Sequence, residues 1–217
     1  MKIKKEHLLL YAVTDRTWTG KMTLEEQVEE ALKGGVTMVQ LREKNLSETD
    51  FLREAVRVRE LCHKYRVPFI INDNVRVALE CGADGVHVGI EDTPVSEIRE
   101  LAGEDFIVGA TAKTVEQAMA AEAAGADYLG VGAVFPSVAK KDAVRITVKE
   151  LRDICSAVSV PVVAIGGIAL SNIAELKGGG MNGVAVVSAI FGAENIAAAT
   201  AQLKEKVRSV VESGREG

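Results

Sequence analysis

Short runs rich in Val, Ile and Leu alternate along the chain with longer amphipathic segments rich in Ala and Glu. This alternation is the pattern of repeated strand–helix units around a parallel sheet. It predicts strands at Leu8–Thr14, Met38–Arg42, Pro68–Ile71, Gly85–Val88, Phe106–Thr111, Tyr128–Val134, Val162–Ile165 and Val184–Ser188. Helices are expected near Thr23–Lys33, Glu48–Tyr65, Val75–Glu80, Val95–Leu101, Val115–Ala124, Val148–Ala157, Asn172–Lys177 and Glu194–Ser213. Eight strands with eight helices and no interruption predict one closed (β/α)8 TIM barrel rather than an open sheet, a single α/β domain over residues 1–217. Glycines ahead of several strands, at Gly34-Gly35, Gly82, Gly125 and Gly178 to Gly180, fit left-handed helix stops. The segments Gly82-Ala83-Asp84-Gly85 and Gly125-Ala126-Asp127-Tyr128 echo one another, a likeness that either repetition of one strand–helix unit or shared geometry alone would produce.

Composition sharpens this picture. With 217 residues, 47% of them hydrophobic, the chain can bury one substantial core. A formal charge of -5 argues against nucleic acid or a membrane as partner, because either would recruit a basic surface. A small diffusible ligand is expected instead. The apolar runs Val160–Ile168 and Gly183–Phe191 are too short to span a bilayer, and Met1–His7 lacks the order of a secretory signal, so a cytoplasmic location is expected. Cys62, Cys81 and Cys155 have neither close pairing nor C-x-x-C spacing, which predicts reduced thiols rather than disulfides or a zinc site.

Barrel chemistry gathers at the C-terminal ends of the strands. There the second strand runs Gln40-Leu41-Arg42-Glu43-Lys44, and period-two alternation would turn Gln40, Arg42 and Lys44 together into the mouth, where an amide and two cations suit a polyphosphate. Asp73 follows the third strand and Asp92 the fourth. Each alone would serve as a helix cap; together, beside the basic cluster, they suggest a magnesium–diphosphate site. Thr111 and Lys113 end the fifth strand, and Lys140 follows the sixth. Gly166-Gly167 after the seventh strand and Val187-Ser188 after the eighth predict a second, monophosphate site on backbone N–H groups. His87 lies within a strand and reads as a packed strand histidine.

These motifs, in barrel order, resemble those of the thiamine phosphate synthase family over essentially the whole chain. The resemblance rests on Tyr11-Ala12-Val13-Thr14-Asp15, Val39 to Lys44, Ile71-Asn72-Asp73, Gly82 to His87, Glu91-Asp92, Gly130 to Gly132 with Phe135-Pro136, Lys140 to Ala143, and Ile165 to Ile168. It implies a transferase of thiamine biosynthesis that joins hydroxymethylpyrimidine diphosphate to thiazole phosphate with Mg2+, by a dissociative route that needs no protein nucleophile. Carried over by matching motif, Gln40, Leu41, Arg42, Glu43, Lys44, Asn72, Thr111 and Lys140 would hold the pyrimidine diphosphate. Of these, Arg42, Lys44, Thr111 and Lys140 would be catalytic. Asp73 and Asp92 would hold the metal, and Ser137, Val138, Ala139, Gly167, Val187 and Ser188 the thiazole phosphate. Self-association is left open by the sequence.

Three positions depart from the family pattern. Ile90 stands where Gln is usual, Lys113 where His is usual, and Ala139 where a hydroxyl residue is usual. Loss of that hydroxyl would weaken thiazole binding by about 0.5–1.5 kcal/mol. Lys113 and Asp92 count against the related thiazole tautomerase, which relies on that histidine. The joint presence of Arg42, Lys44, Asp73 and Asp92 counts against a non-catalytic sensor of thiamine precursors. A sugar-phosphate isomerase or epimerase, suggested by fold alone, would need an acid–base pair that the mouth residues do not supply.

Overall fold

The computed structural model describes residues 3–136 and 145–213. Among these, eight parallel strands close into a barrel in chain order: β1 (Leu10–Val13), β2 (Met38–Leu41), β3 (Phe69–Asn72), β4 (Gly85–Val88), β5 (Ile107–Ala112), β6 (Tyr128–Gly132), β7 (Val162–Ile165) and β8 (Gly183–Val186). Closure is made by β1 on β8, with Leu10 opposite Val184 and Ala12 opposite Val186. The helices are α1 (Leu24–Gly34), α2 (Glu48–Tyr65), α3 (Val75–Cys81), α4 (Val95–Ala102), α5 (Val115–Ala123), α6 (Val148–Ala157), α7 (Ser188–Phe191) and α8 (Ile196–Ser213).

Alternation along the strands sorts the apolar residues into two separate cores. Tyr11, Val13, Met38, Ile70, Ile107, Tyr128, Val163 and Ala185 fill the barrel interior. Their neighbours Leu10, Ala12, Val39, Leu41, Phe69, Ile71, Val86 and Val108 point outward and pack under the helices. Every strand is therefore buried on both faces, as a parallel sheet wrapped by helices requires.

Local signals set the helix ends. Thr23 and Glu26 form a reciprocal capping box at the start of α1, with Glu26 N donating to Thr23 Oγ1 at 3.2 Å and Thr23 N to Glu26 Oε2 at 2.7 Å. Gly35 ends α1 at φ 94°, a left-handed conformation that costs a residue without Cβ little. Two expectations are corrected here. The segment Asn172–Lys177 forms a single 3₁₀ turn, Ile173–Leu176, since the glycines 178 to 180 follow too soon for a longer helix. The last strand stops at Val186, and Ser188 opens the short helix α7 instead of ending β8.

The N-terminal face of the barrel is closed by one repeated device. Ahead of each even strand a polar side chain accepts from an N–H at the start of the preceding odd strand. Thr37 Oγ1 takes Leu10 N at 2.8 Å, Asp84 Oδ2 takes Phe69 N at 2.8 Å, Asp127 Oδ2 takes Val108 N at 2.7 Å, and Asn182 Oδ1 takes Val162 N at 2.9 Å. The echo of Gly82-Ala83-Asp84 in Gly125-Ala126-Asp127 thus has a physical cause. In both places a helix stop is followed by a carboxylate that satisfies a strand-end donor.

Candidate active site at the C-terminal face

At the opposite face the loops after β1 to β4 bring charge together. Asp73 leaves β3 in the left-handed region at φ 61°, where a residue with a Cβ is strained. It does not cap α3: Asn74 does, accepting from Val77 N at 2.9 Å. Nor does Asp92 cap α4, whose N-cap is Pro94; its Oδ2 accepts from Gly89 N at 2.7 Å. Neither carboxylate is therefore spent on capping a helix. Burial, then hydrogen bonding and repulsion from Asp92, push the Asp73 carboxyl up to about 6 against the opposing pull of Asn72 and Arg42. Asp73, Asp92, Asn72 and Arg42 are therefore one interacting group.

Arg42 is aimed by Asp15, with Nη1 donating to Oδ2 at 3.1 Å, and its backbone N–H donates to Thr14 Oγ1 at 3.0 Å. Burial raises the Asp15 carboxyl, but hydrogen bonds from Thr17 and the charge of Arg42 outweigh it and hold the group below its ordinary range. Lys44 is exposed. Gln40 lies inside the barrel, where its Nε2 donates to Tyr11 Oη at 2.6 Å. The side chains of Leu41 and Glu43 do not open into the mouth. Leu41 packs outward under the helices, and Glu43 is buried against Arg16, which donates from Nε to Oε2 at 2.8 Å. Arg16 also donates to Glu54 of α2. Asp15, which entered the sequence reading only as part of a motif, and Arg16, which did not enter it, thus tie the loop after β1 to the end of β2.

Across the mouth, Val134 N donates to Ile165 O and Phe135 N to Gly166 O, each at 3.0 Å, so the chain leaving β6 runs beside the loop after β7. A Cβ on Gly167 would lie 2.1 Å from Pro136 O, which makes glycine obligatory at this crossing. Asn172 braces the loop, donating to Gly167 O at 2.9 Å and accepting from Ala169 N at 2.9 Å. Val187 and Ser188 stand at the start of α7, where the first N–H groups of a helix have no partner within it. The predicted Ser137, Val138, Ala139 and Lys140 lie outside the described residues. A surface groove of about 540 Å³ between α3 and α4 meets this face only near Asp73 and Thr93.

Deeper in the mouth is a polar chain that the sequence reading passed over. Tyr11 Oη and Tyr128 Oη are 2.9 Å apart, Tyr128 Oη is 3.1 Å from His87 Nδ1, and His87 Nε2 is 3.1 Å from Thr111 Oγ1. His87 is a strand residue as expected, but its ring points into the barrel and touches a predicted site residue. The signal was present in the register, where His87 pairs with Gly109 and Gly109 with Tyr128, large rings flanking an absent side chain.

A closed (β/α)8 barrel with this charge at the C-terminal strand ends is an enzyme barrel. A family model described as thiamine monophosphate synthase matches residues 10–190. A thiamine-phosphate synthase from Clostridium botulinum (strain Eklund 17B / Type B) is 47% identical, covering 91% of this chain and 92% of the relative. One from Caldanaerobacter subterraneus subsp. tengcongensis is 44% identical over 98% of this chain and all of its own length. The solved thiamine phosphate pyrophosphorylase from Pyrococcus furiosus superposes with a TM-score of 0.88 at 41% identity, covering 95% of this chain and 98% of that one. The chain belongs to the thiamine monophosphate synthase family and is a transferase of thiamine biosynthesis.

Proposed function

We propose that residues 1–217 act as one cytoplasmic catalytic domain that joins hydroxymethylpyrimidine diphosphate to thiazole phosphate, giving thiamine phosphate and pyrophosphate, and that the reaction requires Mg2+. The observation that carries this reading is the convergence of Asp73, Asp92, Asn72 and Arg42 at the ends of β2 to β4. Two mutually repelling carboxylates, one lifted to about 6, fit a hard divalent cation that would relieve the repulsion. Among the described residues no larger cluster of His, Cys, Asp or Glu forms, so phosphate oxygens and water would complete the coordination, as magnesium prefers. Bound there, the ion would neutralise charge developing on the leaving diphosphate.

The protein's own contribution is positional and electrostatic. Arg42, fixed by Asp15, presents its cation where the diphosphate departs; Lys44 and Lys140 add positive charge, and Asn72 an amide. The methylene–oxygen bond breaks with its electron pair passing to pyrophosphate. The thiazole nitrogen then donates its lone pair to the pyrimidine-stabilised methylene cation. Gln40 and Thr111 orient the pyrimidine, while backbone N–H groups at Gly167, Val187 and Ser188, with residues Ser137 to Ala139, hold the thiazole phosphate. No protein nucleophile takes part, and substrate bound in the barrel mouth would keep water from trapping the cation.

The test is pyrophosphate release by purified protein given both substrates and Mg2+, repeated with EDTA and with Asp92→Ala. Release that needs both substrates and is lost in both controls is expected. Absence of release from the wild type, with both substrates still bound, would replace this reading with that of a precursor sensor.

A further inference from the structure

The polar chain inside the barrel has a direction. Gln40 Nε2 donates to Tyr11 Oη, so the single phenolic proton of Tyr11 is donated onward to Tyr128 Oη. Tyr128 must then donate its own proton to His87 Nδ1. A neutral imidazole that accepts at Nδ1 carries its proton on Nε2, and that proton goes to Thr111 Oγ1. The hydroxyl proton of Thr111 is left to be donated into the mouth. At the other end, one of the two Gln40 Nε2 protons goes to Tyr11, and Oε1 is the acceptor that this orientation of the amide leaves for the ring.

We propose that His87, Tyr128 and Tyr11 are positioning residues that fix the hydrogen-bond polarity of Thr111 and Gln40 together, so that the mouth offers one donor and one acceptor to the aminopyrimidine. This rests on the reading that Gln40 and Thr111 face that ring. An aminopyrimidine edge carries the complement, a ring nitrogen that accepts beside an exocyclic amino group that donates. Reversing the chain would turn Thr111 into an acceptor facing the ring nitrogen's lone pair, which is repulsive. The arrangement sets the specificity for the amino group over an oxo group at that ring position.

The barrel is carved to hold this chain. A Cβ on Gly109 would lie 2.2 Å from Tyr128 Cζ and 2.5 Å from His87 Nδ1, and one on Gly130 would lie 3.0 Å from His87 Cε1. Burial raises both phenols well above their ordinary range, so they remain neutral donors throughout the working pH of the protein. A chain of neutral groups in a low-dielectric interior keeps its sense because reversing one bond requires reversing all of them.

The chain has three histidines, His7, His63 and His87, so ring-nitrogen NMR of histidine-labelled protein resolves each one. In the wild type without substrate, His87 is expected as the neutral Nε2-protonated tautomer. Tyr128→Phe, which keeps the ring and deletes the donor, should mix the tautomers. It should also raise KM for the pyrimidine diphosphate roughly five- to tenfold with KM for thiazole phosphate unchanged. In a Thr111→Val background the same substitution should add little, because its effect passes through Thr111. An Nδ1-protonated or doubly protonated His87 would overturn the proposal, as would full additivity of Tyr128→Phe and Thr111→Val. If the wild type lacked synthase activity altogether, the tautomer measurement would still decide the direction of the chain, and the failure would belong to the functional reading.

Discussion

At the N-terminal face of the barrel, Thr37, Asp84, Asp127 and Asn182 each satisfy a strand-end N–H, and Arg99 adds bonds to Asp127, Gly125 O and Phe106 O. At the C-terminal face, Asp73 sits at a strained φ against a second carboxylate, Lys44 is exposed, and the loops cross at glycine positions that admit no side chain. Polar residues at the first face complete the backbone's own hydrogen bonding. At the second, the left-handed φ of Asp73 and its repulsion from Asp92 are costs that a bound cation would offset. Under the proposed function, stability and chemistry occupy opposite ends of the same strands.

Substitutions at the two ends should separate these roles. The largest effect is expected at the mouth. Arg42→Met should lower kcat/KM by roughly a hundred- to a thousandfold, measured by pyrophosphate release, while changing unfolding free energy by only about 1 kcal/mol. A comparable loss of stability there would break the comparison. Next is Asp127→Ala at the opposite face, which takes the acceptor from Val108 N and leaves the Arg99 guanidinium only carbonyl partners. It should cost about 2–4 kcal/mol in denaturant unfolding, with kcat per folded molecule unchanged.

A smaller effect sharpens the boundary between the two roles. Burial, then Glu43, raise the Glu54 carboxyl to about 7, although Arg16 opposes the shift. Because the folded-state value lies above the ordinary 4.5, the contribution to stability is fully present below about pH 4.5 and is lost as pH rises through about 7. Among the described residues the Oε1 of Glu43 is buried without a hydrogen-bond partner, and a protonated Glu54 is the donor that would satisfy it. Glu54→Gln supplies that donor at every pH. Its melting temperature should exceed that of the wild type above pH 7, by the equivalent of about 1–2 kcal/mol, and the two should converge near pH 4.5. A constant difference across that range would show that the Glu54 proton is not involved.

The sequence made the strand count and the mouth residues legible because both follow from rules with little dependence on packing. Buried parallel strands read as apolar runs, and barrel sites follow their C-terminal ends. Asp73, Asp92, Asn72 and Arg42 were singled out that way, and in the structure they lie close enough to interact. The period-two argument placed Gln40 correctly inside the barrel but could not follow the chain past Leu41, where β2 ends. Glu43 and Arg16 were beyond that reasoning because a buried ion pair between loops leaves no periodic trace. Tyr11, Tyr128 and His87 were hidden for a different reason. In a hydrophobicity pattern they count as core, and only the register shows their polar atoms meeting around Gly109.

The central claim is that Asp73 and Asp92 are held together for a magnesium–diphosphate unit. It is tested most directly by thermal unfolding of the wild type and Asp73→Asn with Mg2+ alone, pyrophosphate alone, and both. The account predicts that the pair raises the wild-type melting temperature by several degrees more than either component, while Asp73→Asn, relieved of its repulsion, melts higher unliganded and gains little. An equal gain in both proteins would contradict it.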